Sequence, residues 1–202
     1  IVDSIHFIHS PPPEVNSNIS KLILPHVHRL AFEELLAQKL YLNQERQRNS
    51  HWRANRIPHS DLREKFFEGL PFKLTSGQLK VISEIDRDLN KKVPMNRLLQ
   101  GDVGSGKTVV AGSVCASVVG SGYKVALMAP TELLAEQHYE TLSTWFDAIG
   151  VDTLLLTGKL TSAQKESVYK KINSERPLII TGTHALFQKQ ARYKKLGLII
   201  ID

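Results

Sequence analysis

From residue 97 onward, short apolar runs alternate with longer amphipathic or small-residue stretches. Residues 97–100 read as a short buried strand, and residues 109–119, small and apolar, as a buried helix. Residues 124–129 form the next strand. Thr131 caps a helix running to about Ala148, and Gly150 stops it. Residues 151–156 are a strand, after which Thr161 and Gln164 make a capping box that opens a helix to about Asn173. A strand at 178–181, a short helix at 184–190 and a last strand at 196–202 complete the pattern. Apolar strands alternating with helices predict an α/β fold, a parallel sheet covered by helices on both faces.

Upstream the periodicity is helical. Residues 1–27 carry Pro11, Pro12, Pro13 and Pro25, and read as an extended connector. Residues 28–46 read as a helix with a wide apolar arc that includes Leu30, Leu35 and Leu42. A short helix at 60–70 turns Leu62, Phe66 and Phe67 inward. A further helix at 75–89 carries the capping box Thr75–Gln78 and the stripe Val81, Ile82, Ile85, Leu89. Placing the boundary after Leu70 gives a helical linker over residues 1–70 and one α/β domain over 71–202. Arg46, Arg48, His51, Trp52, Arg53 and Arg56 cluster inside the linker. Arginines with an interleaved aromatic can grip a nucleic-acid backbone and stack on a base. A solvated linker with one docked Trp fits the same residues equally well.

Composition changes this picture little. The 202 residues are 42% hydrophobic and 23% charged, which suits a packed core. The net charge of +6 permits a polyanionic partner without requiring one. The single cysteine, Cys115, makes no intramolecular disulfide and reads as a small buried packer, in keeping with a reducing compartment. Neither a membrane-length apolar run nor a secretory pattern is present, so a cytoplasmic protein is expected. The chain opens on Ile1 and closes on an apolar strand, and is expected to be an excerpt of a longer protein, cut inside a domain.

The strongest chemistry lies at Gly101-Asp102-Val103-Gly104-Ser105-Gly106-Lys107-Thr108, which fits the phosphate-loop pattern G-x-x-x-x-G-K-[ST] at every fixed position. Backbone N–H groups of such a loop can turn inward around a polyphosphate, and the following helix offers its N-terminus. Lys107 supplies positive charge for the β- and γ-phosphates, and Thr108 a hydroxyl for Mg²⁺. Asp202 ends an apolar run, on the sheet edge where ligands of parallel sheets bind and where a phosphate-loop enzyme holds its Mg²⁺. Thr131 and the run Thr181-Gly182-Thr183-His184 sit at strand ends on that same edge, where they would either meet phosphates or simply cap and turn the chain. Apart from a loose pair at His26 and His28, no His is set with Cys or carboxylates at metal-ligand spacing, and no structural metal is expected. The motor reading requires Lys107, Thr108 and Asp202 to converge around one phosphate-sized space.

Four blocks come in order: the phosphate loop at 101–108, Met-Ala-Pro-Thr-Glu-Leu-Leu-Ala-Glu-Gln-His at 128–138, Gly-Thr-His-Ala-Leu-Phe-Gln at 182–188 and Ile-Ile-Ile-Asp at 199–202. Together with Pro-Phe-Lys-Leu-Thr at 71–75 and Arg-Leu-Ala-Phe-Glu-Glu-Leu-Leu-Ala at 29–37, they resemble the first motor domain, and the segment before it, of the RecG family of superfamily 2 ATP-dependent DNA helicases. The transcription-repair coupling factor and the primosome helicase are the nearest alternatives, and the phosphate loop alone would also suit a nucleotide-binding switch or a kinase. A non-catalytic module that binds DNA through the arginines between 46 and 56 also remains open.

The resemblance implies a RecA-like fold and remodelling of branched DNA, with Holliday junctions and stalled replication forks as substrates and ATP and Mg²⁺ as cofactors. It implies that Gln78, with Phe72, reads adenine; that residues 101–108 hold the phosphates; that Lys107 and Asp202 are catalytic; and that Thr108 and Asp202 hold Mg²⁺. Pro130, Thr131, Gly182 and Thr183 are implied to line the DNA path. A wedge domain and a second motor domain, with its arginine finger, are the implied partners in the same chain. Without them this stretch is expected to hydrolyse ATP poorly or not at all.

Overall fold

The computed structural model describes residues 1–12 and 19–202; the side chains of residues 19, 20, 46, 49 and 50 lie outside the description. The chain divides into two compact units, Ile1–Arg53 and Ala54–Asp202.

The first unit is two helices, α1 (Val2–His9) and α2 (Ile19–Ser50). The extended connector expected over residues 1–27 is therefore largely helical, although Pro13 lies outside the described residues. Helix α2 runs through Pro25, which removes one N–H from the helical ladder, a local loss that the rest of the 32-residue helix outlasts. Helix α1 docks on its first half: Phe7 stacks on His26 with ring centroids 4.3 Å apart, and His26 Nδ1 hydrogen-bonds Ser4 Oγ at 3.2 Å. Leu35, Tyr41 and Leu42 of α2 are exposed.

The second unit begins with α3 (Asp61–Glu68) and α4 (Ser76–Leu89), followed by α5 (Lys107–Gly120), β1 (Lys124–Met128), α6 (Glu132–Asp147), β2 (Thr153–Leu156), α7 (Ser162–Asn173), β3 (Ile179–Gly182) and β4 (Leu196–Ile201). A 3-10 turn at His184–Phe187 follows β3. The sheet is parallel throughout with order β2-β3-β1-β4. The register pairs Leu156 with Gly182, Gly182 with Met128, and Met128 with Ile201, so all four strands end on one edge.

One apolar cluster joins α3, α4, α5 and α6 to β1 through Phe66, Ile82, Ile85, Val114, Val125, Leu127, Leu142 and Phe146. The other joins α7 and the 3-10 turn to β2 and β3 through Ile172, Leu156, Leu178, Ile180 and Leu186. Helix α3, which the sequence pattern assigns to the linker, packs inside the second unit. Phe66 is buried, stacks on Phe146 at 5.2 Å and meets Trp145 edge-on. Burying a ring of this size contributes about 1.5–3 kcal/mol, enough to fix a two-turn helix to a core. Arg63 adds an ion pair to Asp86 that ties α3 to α4.

Residues 97–100 do not form the expected strand. They make no ladder with β4, whose outer edge has no strand partner among the described residues. The segment is held instead by Arg97, whose guanidinium bonds Asp88 Oδ2 at 2.8 Å and Glu84 Oε2 at 3.1 Å, while Leu98 is left 86% exposed. Hydrogen bonds from Lys91 and Arg97 hold the Asp88 carboxyl below its usual range.

Candidate nucleotide site at the C-terminal edge of the sheet

The loop between residue 100 and α5 turns through Gly104 and Gly106, both at positive φ (79° and 84°). Gly106 is the N-cap of α5, and a Cβ there would lie 2.3 Å from Gln78 Nε2. The left-handed turn calls for glycine, and a side chain there would also push the Gln78 amide aside. Because Gly106 has no side chain, α5 has no side-chain cap; Val109 N–H turns to Gly106 O at 3.2 Å, while the N–H groups of Lys107 and Thr108 lie at the helix end, where an anion can accept from them.

Lys107 folds back on its own loop, and its Nζ donates to Gly101 O and Asp102 O at 2.9 Å each. Gln78 braces the loop from α4. Its Oε1 accepts from Thr75 N–H at 2.9 Å in the capping box, and its Nε2 donates to Ser105 O at 3.0 Å. Each end of the amide has one such partner, which leaves one N–H and one oxygen lone pair to meet a base. Phe72 is half exposed on the segment leading into α4.

Asp202 follows β4, and its N–H donates to Met128 O at 3.0 Å, which extends the ladder by one bond. Lys107, Thr108, His138 and Asp202 line one cavity of about 330 Å³, with apolar walls from Leu99, Val110, Leu127 and Ile200. The ammonium group and the acid thus lie on the same side of the sheet, as the motor reading requires. Thr108 and Asp202 offer a hydroxyl and a carboxylate, hard oxygen donors of the kind Mg²⁺ takes. These donors fit the ion.

The residues expected along a DNA path occupy the same edge. Pro130 and Thr131 are exposed, and Thr131 Oγ1 caps α6 by accepting from Leu134 N–H at 3.3 Å. Thr183 begins the 3-10 turn, and its N–H donates to Leu156 O at 3.3 Å. Gly182 is buried, and a Cβ there would lie 2.2 Å from Leu156 O. Its lack of a side chain therefore answers to the packing of β3 on β2.

Sequence reasoning missed His138, whose Nε2–H donates to Asp202 Oδ2 at 2.8 Å. The signal was a polar residue on the inward stripe of α6, between the buried Ala135, Leu142 and Phe146. The tie from Lys159 to the first turn of α6, at Glu132 (3.2 Å), was also unseen; Glu132 raises the Lys159 pKa through that hydrogen bond.

Residues 75–202, from the α4 cap through Asp202, match the DEAD/DEAH box helicase family. The chain belongs to that family. Helicases of this family use ATP. The sheet and its flanking helices are the family's RecA-like α/β arrangement. Among curated relatives, the ATP-dependent DNA helicase RecG of Pasteurella multocida is 40% identical over 99% of this chain and 29% of its own length. RecG of Synechocystis is 42% identical over 100% of this chain and 23% of its own length. The chain thus spans between a fifth and a third of these helicases. A solved structure of RecG bound to a three-way DNA junction superposes with a TM-score of 0.76 and 38% identity, over 88% of this chain and 25% of that one.

Proposed function

We propose that the chain is the N-terminal motor part of a RecG-type enzyme that couples ATP hydrolysis to translocation on duplex DNA, and so remodels branched substrates such as Holliday junctions and stalled forks in the bacterial cytoplasm. The observation that carries this is the single cavity shared by Lys107, Thr108 and Asp202, in a chain that matches RecG helicases along its length.

In this reading the α5 N-terminus and the backbone of residues 101–106 receive the phosphates. Lys107 gives up its loop carbonyls to the phosphate oxygens, and Thr108 and Asp202 hold Mg²⁺. When bound, the cation offsets the negative charge that gathers on the transferring phosphoryl group. Gln78 and Phe72 receive the adenine, Gln78 through its remaining N–H and oxygen lone pair. Pro130, Thr131 and Thr183 contact the DNA backbone, and Gly182 supports them by letting β2 and β3 close up. Regions outside this chain, a wedge domain and a second motor domain with an arginine finger, complete the enzyme, so this stretch alone hydrolyses ATP poorly.

The test is ATP hydrolysis by the full-length protein with and without a four-way junction. Turnover strongly stimulated by the junction is expected. Phosphate transfer to a small acceptor without DNA stimulation would replace the motor by a kinase.

A further inference from the structure

Asp202 has its main chain fixed by the Met128 carbonyl, but a carboxylate turns about a broad, weakly restrained torsion. Something must choose which oxygen faces the cavity. Among the described residues, His138 is the one side chain hydrogen-bonded to that carboxylate, at 2.8 Å on Oδ2. It is well placed for this: the His138 side chain is only 16% exposed. Its helix is anchored above and below by Ala135 and Leu142, both fully buried. An imidazole donates one hydrogen bond from a short, stiff side chain. A lysine or arginine at this place would set a permanent positive charge against the cation.

We infer that His138 is a positioning residue for the divalent cation: it holds Oδ2 of Asp202 and leaves Oδ1 free to bind. This rests on the assignment of Asp202 as a metal ligand proposed above. Hydrogen-bond partners of ligating groups commonly change metal affinity about 10–100-fold when removed. The same helix begins at the Thr131 cap, about two turns before His138, so one rigid element carries both the proposed DNA-facing turn and the holder of the acid.

The experiment uses the full-length protein and two readouts that need no turnover: Mn²⁺ binding by electron paramagnetic resonance, and the Mg²⁺ concentration that half-saturates binding of a fluorescent ATP analogue. His138→Ala should raise that concentration about 10-fold or more, while analogue binding in excess EDTA stays as in wild type. His138→Gln, whose amide N–H reaches as far as Nε2, should restore much of the loss. His138→Asn stops short of Oδ2 and should behave like Ala, and it serves as the loss variant if His138→Ala does not fold. Asp202→Ala separates the two levels of the claim. If Asp202→Ala weakens metal binding strongly and the loss variants of His138 do not, the positioning role is overturned and the metal assignment stands. If Asp202→Ala changes nothing, the metal assignment fails and takes this inference with it. Equal losses in Gln, Asn and Ala would show that the ring's bulk matters rather than its hydrogen bond, which also overturns the inference.

Discussion

Two lysines at opposite ends of the sheet make the same local bonds and stand in opposite circumstances. Lys107, at the C-terminal edge, donates to two backbone carbonyls, Gly101 O and Asp102 O. Lys124, at the N-terminal end of β1, also donates to two backbone carbonyls, Ser174 O and Lys194 O. Lys107 lines an open cavity beside a helix N-terminus with uncapped N–H groups. Lys124 is fully buried, and that burial lowers its pKa. An ammonium group that can exchange its carbonyls for another acceptor can take part in binding. One sealed between two loops can only hold them together.

The largest effect expected from breaking this contrast is on turnover. Lys107→Ala in the full-length protein should lower ATP turnover about 100-fold or more, because in the proposed reading it removes charge from the transferring phosphoryl group. Hydrogen-exchange protection of β1 and β3 should stay as in wild type. A near-normal ATPase rate would remove Lys107 from the active site.

Gly182→Ala tests whether the open edge is also a packing edge. Its Cβ would meet Leu156 O at 2.2 Å, so β2 and β3 should be forced apart at a cost of about 1–3 kcal/mol. Faster hydrogen exchange at Thr183 and along β2 would report it.

Lys124→Met should do the reverse of Lys107→Ala. Two backbone carbonyls lose a charged donor, at a cost of about 1.5–3 kcal/mol. Exchange protection in β1 and in the loops around Ser174 and Lys194 should drop, while junction-stimulated turnover per folded molecule persists. Loss of activity at full protection would join the two ends functionally and end the contrast.

The smallest effect is a slope. Because burial lowers the folded-state pKa of Lys124, the unfolded chain binds its proton more readily between that lowered value and about 10.4. Stability owed to this group therefore rises with pH across that window, is complete above it, and is lost as pH falls through the folded pKa. Melting temperature measured against pH should lose that rising limb in Lys124→Met. An unchanged slope would mean the ammonium group is not desolvated.

Much of this was legible in the chain itself. The alternation of strands and helices from residue 109 onward needed only periodicity, and both capping boxes form, at Thr75 and at Thr161. Burial of Cys115 follows from its place in an apolar helix, and it pushes the thiol up to about 12. Two of the failures share one cause. Residues 97–100 have the composition of a strand, but a strand is defined by a neighbour that composition does not name. Residues 60–70 looked like linker because the surface Phe66 covers is built from Gly112, Trp145 and Phe146, far along the chain.

The sequence by itself determined the phosphate loop, the parallel strands and the acid at residue 202, since each is a local pattern that short-range sterics and hydrogen bonding impose. Only the tertiary structure decided that Lys107 and Asp202 share one cavity, that Gln78 ties its helix to the loop and that His138 holds the acid. Those pairings span 95, 27 and 64 residues of chain. Contacts of that reach come from how helices and strands stack, and no local pattern encodes them.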